Sequence, residues 1–307
     1  MIAVRAEARR VRPWRMLIVV VAWGSCYVLI TWGMGDASLL WFAALRALVT
    51  GLLLLVTLLL AGRRADVTVL PRGPGTWALI GVLALMNVTL AFGAMFSSTG
   101  GLATGAAAVL SNAAPLLIVL PAWWLYSERP RTVEVVGAAI GFGGLVLVAA
   151  PAGLGRGAGL ALLAAVGITA GALLARRLAD VDLLALGAWQ FLLGGAALSV
   201  VAAVVEGPPT TISWSARFIT VLLVLSAGAT ALPYVLWFGE LRRASLTSVT
   251  AWTLLVPVVG VAFGVAILGE RVTPMEGLGD AIVVAALLLV AYSSRAAHRQ
   301  QIRKAGS

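Results

Sequence analysis

Polar side chains that fall inside long apolar runs are the groups of this chain able to do chemistry. A first set comprises Ser25 and Tyr27, Arg46, Asn87 and Thr89, and Ser111 and Asn112. A second comprises Thr169, Gln190, Ser226, Thr230 and Tyr234, and Thr247, Thr250 and Thr253. In hydrocarbon a polar side chain is costly unless it faces protein or water, so such groups point to a cavity. Asn112 lies three residues before Pro115, and Thr253 four before Pro257. A proline removes a backbone donor and leaves a carbonyl one turn earlier unpaired, which a substrate at mid-membrane depth can use. The plainer alternative is that Asn and Thr bond neighbouring helices, and that Ser and Thr bond back to their own. Among the aromatics, Trp23, Tyr234 and Trp252 neighbour polar or small residues at helical spacing, where they can stack on planar or cationic compounds. Ordinary packing or lipid contact is the competing reading for each. The expected substrate-binding set is therefore Trp23, Tyr27, Asn87, Ser111, Asn112, Tyr234, Thr250 and Trp252.

Charged groups suggest gates. Arg46 is the one full charge well inside a span, and unpaired it costs roughly 2.5–3.5 kcal/mol there. Pairing with an acid, Asp280 first, is one expectation; snorkelling to the headgroups is the other. Glu128 and Glu270 end their helices as either gate-side ion pairs or loop caps, and Pro115 and Pro257 are the structural partners of this set. No Asp, Glu or His occupies the middle third of any span, which favours a facilitator or exchanger, or proton coupling at a membrane edge through Glu128, Asp280 or Glu270, over proton antiport at that depth.

These groups must be positioned by membrane helices. Mean hydropathy is +1.03. Of the 307 residues 61% are hydrophobic and 11% charged, too little polar surface for a dissolved domain. Ten spans are expected: 16–35, 39–61, 76–97, 102–126 and 133–150, then 157–178, 183–205, 218–239, 245–268 and 277–294. With the N-terminus in the cytoplasm, eighteen of the 22 Lys and Arg residues fall on that side, three fall outside, and Arg46 lies within a span. Both termini are then cytoplasmic. The net charge of +10 is scattered over short loops, which speaks for orientation rather than for nucleic acid. Cys26, the one cysteine, allows no internal disulfide and reads as a small core residue; His298 is the one histidine, and no metal or cofactor is called for.

The two halves repeat. A shift of 142 residues lays Pro115 on Pro257, Glu128-Arg129 on Glu270-Arg271, Glu134 on Glu276 and Gly137 on Gly279. A shift of 144 lays Arg46 on Gln190 and Gly51 on Gly195. Five spans per half is an odd number, so the second copy is inverted, as in carriers with a central site. The division is a basic N-terminus (1–15), a first repeat (16–150), a second repeat (151–294) and a basic tail (295–307). The expected fold is all-α and integral to the membrane, with two inverted five-helix repeats. Gly137 and Gly141, and Gly260 and Gly264, form small-residue pairs for close helix packing.

Trp23-Gly24-Ser25, Leu45-Arg46-Ala47, and prolines thirteen residues before Glu128 and Glu270 together resemble the EamA-type branch of the drug/metabolite transporter superfamily. Leu268-Gly269-Glu270-Arg271 matches its Gly-Glu-Arg pattern, while Ser127 stands in for the glycine of the first copy. The resemblance covers residues from about Trp14 to Ser294. It implies a ten-helix inner-membrane carrier, monomeric, that exports small metabolites by alternating access. Aromatic-amino-acid exporters in that family are similar in size and layout. A multidrug exporter of the same fold is the alternative. A membrane enzyme would need a nucleophile with its base or a metal triad, and a channel a filter or charged ring; the spans offer none of these.

Overall fold

The computed structural model describes residues 11–62, 70–117, 121, 124–125, 132–150, 155–178, 180–241, 252–253, 255–286 and 288–289. Among them there is no strand. Helix α1 is Pro13–Gly33 and α2 is Leu39–Gly62. Helix α3 joins Pro74–Ala84, a π-helical stretch Leu85–Leu90, and Ala91–Thr99. Helix α4 is Thr104–Ser111, α5 Ala114–Leu117, α6 Thr132–Ala149, α7 Arg156–Ala175 and α8 Leu183–Val205. Helix α9 joins Ala216–Leu223, a second π-helical stretch Val224–Ala231, and Leu232–Leu241. Helix α10 is Leu255–Leu268, and α11 covers 274–286.

Six of these runs are 20 to 26 residues long and apolar enough to cross a bilayer. Only 39% to 50% of each is buried inside the protein. Their outward faces carry Leu52, Leu60, Val200 and Val204, each more than half exposed. So much outward apolar surface is stable only in lipid. The starts of α1 and α3 carry Pro at the first helical position, where no backbone donor is lost. Helix α8 is capped by its own Asp182.

Three helix pairs set the core. Gly51 of α2 fits against Leu192 of α8, Gly195 of α8 against Leu48, and Gly187 against Leu54, so the two helices run antiparallel. In the same sense, Gly105 of α4 meets Val261 of α10 and Ala108 meets Gly260. In the third pair, a Cβ built on Gly144 would stand 2.9 Å from the Gly279 carbonyl, and one on Gly279 2.8 Å from the Gly144 carbonyl. Only glycine lets those backbones approach so closely. Gly260 thus serves the packing role expected of it, and Gly141 packs on Leu116. The remaining contacts are reciprocal: α3 packs on α7 and α8, and α9 on α1 and α2.

The fourth expected span is not one continuous helix. It stops at Ser111, turns through Asn112 (φ −93°, ψ 18°) and Ala113, and restarts at Ala114. Pro115 in the next turn supplies no donor, so the break falls where proline chemistry places it. Pro257 lies buried in α10.

Candidate functional site

Arg46 is the centre of the buried polar groups. It projects from α2 and is 3% exposed. Its Nε donates to Thr230 Oγ1 at 2.8 Å, and Nη2 donates to Cys26 Sγ at 3.3 Å. The guanidinium lies 4.4 Å from the Phe92 ring centroid and 5.6 Å from that of Phe96, close enough for cation–π attraction. Ser226 donates to the Arg46 carbonyl, and Thr50 donates to the Ser226 carbonyl. The π register of α9 brings this about: Thr230 donates to the carbonyl of Leu225, five residues back, and presents its oxygen to Arg46. Single π turns inside α-helices are frequent at functional sites.

The expected Arg46–Asp280 pair is not formed. Arg46 faces α1, α3 and α9, while Asp280 lines a small cleft with Glu270, Arg271 and Glu276 beside α4. Nor does Arg46 snorkel, since α9 and α1 enclose it. Among the described residues its charge is met by hydroxyl, thiol and aromatic faces, and by no carboxylate.

The other predicted residues divide around this centre. Tyr27 (2% exposed) lies beside Ser111 and within electrostatic reach of Cys26 and Arg46. Ser111 is fully buried, with the Tyr27 side chain as its hydrogen-bonding neighbour. Asn112 turns its side chain back onto the Ala108 carbonyl of its own helix at 2.8 Å. Asn87, in the π stretch of α3, donates to Gln190 Oε1 of α8 at 3.5 Å. That contact is the repeat counterpart of Arg46 reaching the π stretch of α9. Tyr234 packs edge-on against Phe191. Trp23 and Trp252 sit apart from Arg46, in a cluster with Trp237 and Met16. Thr250, Thr247 and Glu128 lie outside the described residues, as does the side chain of Pro115.

Carboxylates join the two halves at both ends. At the end holding the α1–α2 turn, Glu270 accepts from the backbone N–H groups of Thr104 (2.6 Å) and Gly105 (3.0 Å), capping α4 from the end of α10. Of the two sequence readings of Glu270, a cap or an ion pair, the structure adopts the cap. At the same end Glu206 accepts from Ser38 Oγ (2.6 Å) and from the Leu40 and Trp41 N–H groups, capping α2. Arg217 donates there to Asp36 at 2.6 Å, and Ser215 adds a bond at 3.0 Å. At the opposite end Glu240, with no exposed surface, accepts from the Arg12 N–H and pairs with Arg15, both at 3.1 Å. Glu270, Glu206 and Glu240 each satisfy helix-start donors and place negative charge at the positive end of a helix. Glu206, Glu240 and Asp36 escaped sequence reading because their partners lie 165 to 228 residues away.

The Arg217 hydrogen bonds, against a smaller opposing effect of burial, hold the Asp36 carboxyl below its usual range. A depressed carboxylate stabilises the fold above the unfolded value and stops doing so as pH falls through the folded one. The difference in melting temperature between wild type and Asp36→Asn should stay flat from neutral pH down to about 5, and close below about 4. A difference that closed near neutrality would contradict this.

The EamA-like transporter family model matches this chain twice, over residues 14–150 and 155–292. The chain belongs to the EamA-like transporter family. The two matches make two copies of one family domain in this chain. The chain is 29% identical over 289 residues to the uncharacterized inner membrane transporter YedA of Escherichia coli, covering 88% of this chain and 87% of that one. It is 27% identical over 292 residues to the uncharacterized transporter YvbV of Bacillus subtilis, covering 92% of each. Protein PecM of Dickeya dadantii is 25% identical over 291 residues, again covering 92% of each. One solved crystal structure matches with a TM-score of 0.68 at 20% identity, over 92% of this chain and 98% of its own, a likeness of fold. This EamA family member is therefore a transporter, with several helices long and apolar enough to cross a membrane.

Proposed function

We propose that this EamA family protein exports small metabolites, amino acids among them, by alternating access through a cavity between two inverted five-helix halves, with both termini in the cytoplasm. One observation carries the reading. The pairs α2–α8, α4–α10 and α6–α11 each cross antiparallel, and each joins equivalent helices of the two repeats. A two-fold axis in the membrane plane accounts for all three crossings, and carriers built this way bind substrate near that axis. The distribution of Lys and Arg supports placing the α1–α2 turn outside. There Asp36–Arg217, Glu206 and Glu270 bind one half to the other, as a closed outer gate requires. The direction, outward, rests on family analogy.

Counterflow in proteoliposomes tests the function. Vesicles loaded with an unlabelled amino-acid mixture should accumulate labelled amino acid faster than empty ones, because a carrier returns sooner when loaded. Uptake without such trans-stimulation would mark a channel and contradict the proposal.

A further inference from the structure

One buried donor at the centre has no partner, Arg46 Nη1, on a residue 3% exposed; nearby the buried Ser111 and Tyr27 hydroxyls face each other, which leaves one O–H of that pair free to donate. Leaving such donors unmet in a protein interior is costly, more so where charge is involved. Native proteins keep few of them, and those they keep call for an explanation such as an absent ion or ligand. Tyr27 is beside Ser111 and within electrostatic reach of Arg46. The donors thus belong to one locus, built from α1, α2 and α4. Thr230 and Cys26 fix the guanidinium from the α9 and α1 sides, so its free Nη1 edge is held in one orientation.

We infer that Arg46 and Ser111 form the recognition site for a single carboxylate, and that the compounds carried are organic carboxylates with a compact apolar or aromatic remainder. This deepens the carrier reading and rests on it. The site supplies one fixed positive charge, and among the described residues no acid faces it, so its complement is a monoanion. A planar guanidinium fork with a nearby hydroxyl donor matches a carboxylate. Phe92, Phe96 and Tyr27 wall the locus with rings, which suit a small apolar body. A cationic substrate would meet uncompensated repulsion at the same place. Arg46 and Ser111 are both buried, so a ligand reaches them only when the halves part.

Three simple probes share a ring and differ in charge: benzoate, benzamide and benzylamine. In detergent solution, benzoate should raise the melting temperature of the wild-type protein and slow maleimide labelling of Cys26, which touches Arg46. Benzamide, benzylamine and inorganic phosphate should do neither. Arg46→Gln should weaken benzoate binding about tenfold to hundredfold, the usual loss for one charged hydrogen bond. Ser111→Ala should weaken it less. If Arg46→Gln does not fold, Ser111→Ala and the wild-type labelling arm decide. Equal shifts from benzamide, a preference for benzylamine or phosphate, no benzoate effect, or a benzoate effect unchanged in the folded variants would each overturn the inference. Counterflow of amines or neutral compounds alone would leave the carrier intact and remove the carboxylate site. Benzoate binding without any counterflow would do the reverse.

Discussion

Replacing Glu270 with Ala should open the end of the molecule that holds the α1–α2 turn. The carboxylate accepts two backbone N–H groups at the start of α4, at 2.6 and 3.0 Å, and so ties the second repeat to the first. Charge-assisted bonds of this kind contribute about 1.5–3 kcal/mol each, less what water returns once the donors are exposed. A net loss of about 2–4 kcal/mol shifts a closed–open equilibrium roughly 30- to 1000-fold. Cys26, the sole cysteine, is 4% exposed and reports on that opening without any added label. A membrane-impermeant thiol reagent applied from that side should label Cys26 far faster in Glu270→Ala than in wild type. Glu270→Gln keeps one acceptor and should fall between them. Unchanged labelling would show that the cap closes nothing.

The second large effect belongs to Glu240. This carboxylate has no exposed surface, caps the start of α1 at Arg12 and pairs with Arg15, whose side chain is 23% exposed. Removing it leaves the partly exposed Arg15 without its partner and the Arg12 N–H without its acceptor, at a cost of about 1–3 kcal/mol. Glu240→Ala should therefore lower the melting temperature by several degrees and free the start of α1. Glu240→Gln, which can still accept from the Arg12 N–H, should recover part of the loss. A melting temperature unmoved by Glu240→Ala would show that Arg15 finds an equal partner in solvent.

Much of this architecture was legible because hydrocarbon imposes simple rules. Helix length follows bilayer thickness, so Leu183–Val205 agrees at both ends with its sequence range and α2 comes within one residue. The break after Ser111 was foreshadowed by Pro115, whose effect is local. The π stretches were not legible, because Leu85–Leu90 and Val224–Ala231 carry no residue that forces that register. Tertiary contacts fix it, through Thr89 donating to the Gly194 carbonyl and Thr230 meeting Arg46. Arg46 was singled out correctly as a charge that needs an answer, and Asp280 was the wrong answer. The missing fact was rotation about α2. Depth can be counted along a sequence, but the direction a side chain faces depends on which helix packs beside it. Cys26 illustrates the same limit, since its contact with Arg46 spans two helices and no periodicity announces it.

We propose that two opposed halves hold one cavity and close it at alternate ends. Distances between spin labels test it most directly, in a Cys26→Ser background reconstituted in nanodiscs. One pair, Gly101→Cys with Trp214→Cys, spans the halves at the end of the Asp36–Arg217 bond; the other, Trp14→Cys with Gly239→Cys, spans them at the Glu240 end. Adding Glu270→Ala should lengthen the first distance while the second shortens or holds. Lengthening of both together, or of neither, would contradict alternating closure.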